Sequence, residues 1–192
     1  MVAIDFLTGR TSYPDEVIEV LDHIEAPLDV LGRFHACPPP LMITDAARQQ
    51  MLTAASELRP NETGGILVGA RDATGVCCVT AAIELRPEEP SPARYEVPAG
   101  ATHQAVDTAR AADDRLEYLG EWHSHPSDQS ASSTDARTMT ELATAVGMRD
   151  PYLLIVRPVD AVRFEIDAFL ATVAGLVKAD LVAVGPLPSR TS

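Results

Sequence analysis

Apolar residues recur along this chain with two periods, and the two alternate. Ala47, Met51, Ala55 and Leu58 form a stripe at helical spacing, with the hydroxyl of Thr44 placed to cap it. Ala105, Ala109, Ala112 and Leu116 predict a second helix, and Met139, Leu142 and Val146 a third that starts near Ser133. Between them lie short apolar runs of strand length at residues 41–43, 64–69, 76–83, 118–123, 152–156 and 181–184. Val162, Phe164, Ile166 and Ala168 alternate with Arg163, Glu165 and Asp167, which predicts a half-buried strand. The polar run 71–75 reads as a hairpin turn, and the Pro- and Glu-rich stretch 84–100 as a long loop. Strands interleaved with helices predict an α+β fold, or a three-layer α/β arrangement, in which helices pack on one sheet.

The first forty residues read differently. Pro14-Asp15-Glu16 opens an amphipathic helix with Val17, Val20, Leu21 and Ile24 on its apolar face, and Pro27 stops it. Pro38-Pro39-Pro40 then makes a stiff linker. The expected organisation is an extension over residues 1–40 that caps the domain or docks a partner, a main domain over 41–185, and a frayed tail over 186–192.

At 192 residues there is room for one well-packed domain. A net charge of −13 argues against a nucleic-acid partner, because phosphate binding needs clustered Lys and Arg. Cys37, Cys77 and Cys78 show no metal-knuckle or disulfide spacing, which suits a reducing cytoplasm. No secretory leader and no apolar run of membrane-spanning length is visible. A cytoplasmic protein with no membrane or nucleic-acid partner is expected.

The chemistry concentrates in Glu121-Trp122-His123-Ser124-His125-Pro126. Strand alternation puts Leu119, Glu121, His123 and His125 on one face and Trp122 on the other, in the core. Both histidines can then reach one metal ion. Asp135 precedes Met139, Leu142 and Val146 on the apolar stripe of the third helix. A carboxylate there is costly unless it is paired or bound to a metal. Two histidines and one aspartate leave a tetrahedral zinc ion one corner for a water, the arrangement of a catalytic site rather than a structural one. Ser132-Ser133-Thr134-Asp135 also reads as a capping box, with Ser132 as N-cap. Hydrolysis at such a metal needs a carboxylate base. Glu121 shares the histidine face, whereas Glu62 precedes Gly64-Gly65 at the mouth of another strand, and the residues alone leave both in play.

Together, Glu62 with the Gly64–Gly69 strand, His123-Ser124-His125-Pro126 and Ser132-x-x-Asp135 resemble the JAMM motif of the MPN/JAB metalloprotease family, in its bacterial branch. The likeness spans about residues 41–170. It implies an MPN/JAB (cytidine-deaminase-like) fold, a curved mixed sheet flanked by helices. It implies Zn2+ held by His123, His125 and Asp135, Glu62 as general base, and Ser132 as donor to the oxyanion. It implies cleavage after the Gly-Gly tail of a ubiquitin-like protein or its conjugates, with E1/E2-like enzymes of the same system as further partners. Loop 84–100 would line the groove for that tail. Two other readings follow from relatives: release of a small adduct such as cysteine from a sulfur-carrier protein, and a non-catalytic MPN scaffold. Scaffolds lose ligands, and none is lost here. Asp135 follows Pro126 by nine positions, one short of the usual family spacing, so a tighter loop over 127–131 is expected.

Overall fold

The computed structural model describes residues 3–5, 10–12, 38–87, 89–93, 95, 97–145 and 150–185. Strands β1 (Ala3–Asp5) and β2 (Arg10–Ser12) form a two-stranded antiparallel ribbon. The remaining strands are β3 (Leu41–Thr44), β4 (Gly64–Arg71), β5 (Cys77–Glu84), β6 (Glu117–Ser124), β7 (Tyr152–Pro158), β8 (Phe164–Thr172), β9 (Gly175–Ala179) and β10 (Leu181–Val184). They make one eight-stranded mixed sheet in the order β10-β3-β5-β4-β6-β7-β8-β9. The helices are α1 (Asp45–Leu58), α2 (Ala101–Ala112) and α3 (Ser133–Ala145). None of the described helices is long and apolar enough to cross a membrane. The expected helix at Pro14, the tail 186–192 and Val146 lie outside the described residues, as do His23, His35 and Cys37.

The helices cover the sheet on both faces. Thr44 caps α1 by accepting a hydrogen bond from Ala47 N, and Ala47, Met51, Ala54 and Ala55 are its buried positions. They pack with Leu67, Trp122, Leu154 and Val156. The opposite face is split. Val106 of α2 packs on Ile66 and Val68, and Met139 and Ala143 of α3 pack on Leu153 and Ile155. The result is an α+β fold with three layers, as the alternating periods predict.

Three expectations need correction. Leu119 does not share a face with His123. Leu67 pairs with Gly120 but Val68 with Tyr118, so Leu119 is an extra residue in a β-bulge. The bulge turns Leu119 into the core beside Trp122 and sends Tyr118 to the α2 face. Second, β8 begins at Phe164, and Val162 sits before it in a bend, 83% exposed. Third, Asp167 does not face water. Neighbours of β8 cover both its faces, Asp167 is only 7% exposed, and β9, which no periodic signal announced, pairs along its outer side.

Gly120 makes the bulge possible. Its φ of 144° is a conformation that side-chain-bearing residues avoid, and a Cβ there would come within 2.6 Å of Tyr152 N. Gly120→Ala should therefore combine backbone strain with overpacking and cost about 3 kcal/mol of stability. Urea denaturation should show a lower midpoint with an unchanged slope.

Candidate metal centre

The site forms where the start of β4 meets the ends of β6 and β7. Gly64 pairs with His123 across the β4–β6 ladder, and His123 with Ile155 across the parallel β6–β7 pair. Cross-strand partners share a face, so His123 lies on the side covered by α2 and α3. The pairing continues past the formal end of β4. Ser124 N donates to Thr63 O at 2.7 Å, and Thr63 N donates to Ser124 Oγ at 3.0 Å. Ser124, between the two histidines, is buried and points away from them. Its hydroxyl fixes the residue next to Glu62. The Thr63 hydroxyl in turn donates to Glu84 at 2.9 Å.

His123 and His125 bring their Nε2 atoms to 3.1 Å of each other. Asp135 adds Oδ1 at 3.3 Å from His123 Nε2 and Oδ2 at 3.6 Å from His125 Nε2. A tetrahedral zinc ion with bonds of about 2.1 Å requires ligand atoms roughly 3.4 Å apart. The three residues thus form a group that could hold such an ion. The tautomer agrees. Gln129 O lies 2.8 Å from His125 Nδ1, so Nδ1 carries the proton and Nε2 keeps its lone pair for a metal. His125 N also donates to Val156 O at 2.8 Å, tying the second histidine to the end of β7.

Asp135 arrives on α3 by a reciprocal cap. Its backbone N–H donates to Ser132 Oγ at 3.2 Å, and Ser132 N donates to Asp135 Oδ2 at 2.6 Å. The capping-box and ligand readings therefore hold for the same side chain. Burial alone would raise the Asp135 pKa. The hydrogen bond and charge of His123 and the bonds from Ser132 outweigh it and hold the carboxyl well below the usual range. This group stays ionised, as a metal ligand must.

Glu62 stands just before Thr63, buried, at the edge of the same group. Its pKa is raised, mainly by burial, while the charges of His123 and His125 act against the rise and that of Asp135 adds to it. All three candidate ligands thus lie within electrostatic reach of its carboxyl. Glu62 N donates to Ser91 O at 2.8 Å, and the backbone N–H of Tyr95 donates to its carboxylate. Glu121 is more deeply engaged. Burial raises its pKa, and the Tyr118 hydroxyl donates to it at 3.4 Å.

Sequence reading missed Tyr95. It lies in the irregular loop after β5, where no periodicity marks an inward side chain. Its ring stacks on His123 with centroids 6.2 Å apart and planes at 19°, and its hydroxyl donates to Leu85 O at 2.9 Å. Gly64 makes room for it. A Cβ on Gly64 would come within 2.6 Å of the Tyr95 ring and 2.8 Å of His123 Cβ.

The comparisons with known proteins agree with this architecture. A solution structure of a protein from Desulfitobacterium hafniense matches with a TM-score of 0.59 and 22% identity, over 77% of this chain and 94% of that one. A second, from Salinibacter ruber, matches with a TM-score of 0.52 and 24% identity, over 79% and 97%. At that identity they establish the fold. No curated protein matches the chain. Residues 44–168 match the prokaryotic homologs of the JAB domain, a span that contains Glu62, His123, His125, Ser132 and Asp135. The chain belongs to the JAB/MPN family, among its prokaryotic members.

Proposed function

We propose that this protein is a zinc-dependent peptidase that hydrolyses the peptide or isopeptide bond following the Gly-Gly tail of a ubiquitin-like protein. One observation carries the reading. A buried carboxylate just before β4, Glu62, lies within electrostatic reach of a His123-His125-Asp135 group delivered by β6, the turn after it and a helix start. An ion held by that group would supply Lewis acidity and a more acidic water. Glu62 is the residue that takes the water's proton and returns it to the leaving nitrogen. Burial raises its pKa, which strengthens it as a proton acceptor, and the charges of His123 and His125 oppose that rise. The Ser132 hydroxyl, held against Asp135 at the start of α3, is the donor assigned to the developing oxyanion. Support for a Gly-Gly tail comes from the family. The geometry adds that the loop after β5 is already bonded to Glu62 through Ser91 and Tyr95, so a tail lying along this loop is delivered to the base.

Two outcomes are expected. Glu62→Gln should bind zinc as the wild type does and cleave a Gly-Gly-tailed ubiquitin-like fusion about 10²–10⁴-fold more slowly, read by intact mass. Near wild-type turnover would remove Glu62 as base. Processing of small carrier adducts alone would replace the folded-conjugate reading, and no processing of either with zinc bound would favour a scaffold. Stripping the metal with a chelator should lower thermal stability. Zinc at about 1,000 times its Kd should restore about 4 kcal/mol, and Asp135→Ala should abolish the response.

A further inference from the structure

A metal ligand at the start of a helix is only as well placed as the loop that leads to it. The segment after His125 is held at three successive residues before it reaches Ser132. The Asp128 carboxylate pairs with Arg157 Nη1. The Gln129 carbonyl bonds His125 Nδ1. The Ser130 hydroxyl donates to the Asp167 carboxylate. Two of these three anchors converge on one ion-pair cluster at the ends of β7 and β8. Arg157 Nε lies 2.9 Å from Asp167 Oδ2, Arg157 Nη2 lies 2.5 Å from Glu165, and Lys178 Nζ lies 3.4 Å from Asp167 Oδ1.

The strand register explains the convergence. Arg157 pairs directly with Glu165, and Ile155 with Asp167, so the guanidinium reaches Asp167 along the diagonal of the antiparallel pair. The planar fork turns a different nitrogen to each partner, Nε to Asp167, Nη2 to Glu165 and Nη1 to Asp128. Arg157 also directly follows Val156, whose carbonyl accepts the His125 N–H. The same short stretch of β7 therefore touches the second histidine and the loop that carries the aspartate. Burial alone would raise the Asp167 pKa, but Ser130 and Arg157 hold it down, so the carboxylate remains a fixed negative anchor.

We propose that Arg157 and Asp167 are positioning residues, a clamp that sets the separation of His125 and Asp135 by fixing the loop through Asp128 and Ser130. The inference rests on the metal-binding reading of that group given above. It differs from a purely structural ion pair in one measurable way. The Asp128 side chain is 57% exposed, and an ion pair so exposed contributes little to stability. Its value to the fold is small, whereas its effect on the loop leading to a ligand is direct.

The test uses the full chain as wild type and as Asp128→Ala, Ser130→Ala, Arg157→Lys and Asp167→Asn. Zinc affinity is measured by competition with a chromophoric chelator, coordination by the visible spectrum of the cobalt-loaded protein, and stability by thermal unfolding without metal. Asp128→Ala and Ser130→Ala should each weaken zinc binding about 10-fold with metal-free unfolding unchanged, the scale found when the partner of a metal ligand is removed. Arg157→Lys keeps the charge but not the fork, and it should weaken zinc further and reduce the intensity of the tetrahedral cobalt bands. Asp167→Asn should act in the same direction. If Arg157→Lys or Asp167→Asn fails to fold, the two exposed loop variants decide the matter. Zinc affinities within twofold of wild type and an unchanged cobalt spectrum in those two would overturn the clamp while leaving the metal site standing. A wild type that binds neither metal would overturn both.

Discussion

The site hangs on the reciprocal pair of hydrogen bonds between Thr63 and Ser124. They carry the β4–β6 ladder one residue beyond its formal end, so Glu62 and His123 sit on neighbouring strands in fixed register. Both partners are buried, where a lost bond costs far more than the same bond at the surface. The candidate metal ligands His123 and His125 point one way. Those that hold the strands together, Ser124 and Trp122, point the other way into the core. Strand alternation thus separates function from support within five consecutive residues.

Asp135 shows a second economy. One carboxylate closes the first turn of α3 and completes the group with His123 and His125. A helix N-terminus favours negative charge, so the fold stabilises this anion before any metal arrives. The preference lowers the cost of gathering a carboxylate and two imidazoles in a partly buried cleft.

Much of this was legible in the sequence, and the limits have physical causes. His123, His125 and Asp135 could be grouped because periods of two and 3.6 place side chains on faces without knowledge of the sheet order. The base could not be chosen by periodicity. Glu121 lies on the predicted face, while Glu62 reaches the site only through a pairing between β4 and β6 that is remote in sequence. The family resemblance favoured Glu62, and the charges of all three candidate ligands reach its carboxyl. Leu119 was misplaced because a bulge shifts the phase of alternation, and Gly120 is the single local hint. Asp167 was misread because alternation reports one wet face, whereas α3 packs on that face, β9 pairs along the strand's edge, and the carboxylate is matched by Arg157 and Lys178. Tyr95 left no signal at all, since a loop has no period.

The division of the site between two strands has a consequence for the newly made chain. A fragment that has formed only β6 carries His123 and His125, yet Glu62 is not beside them. A slip of one residue between β4 and β6 would turn Glu62 away from the cleft altogether. Glu62 and the two histidines come together only when the finished sheet locks into register.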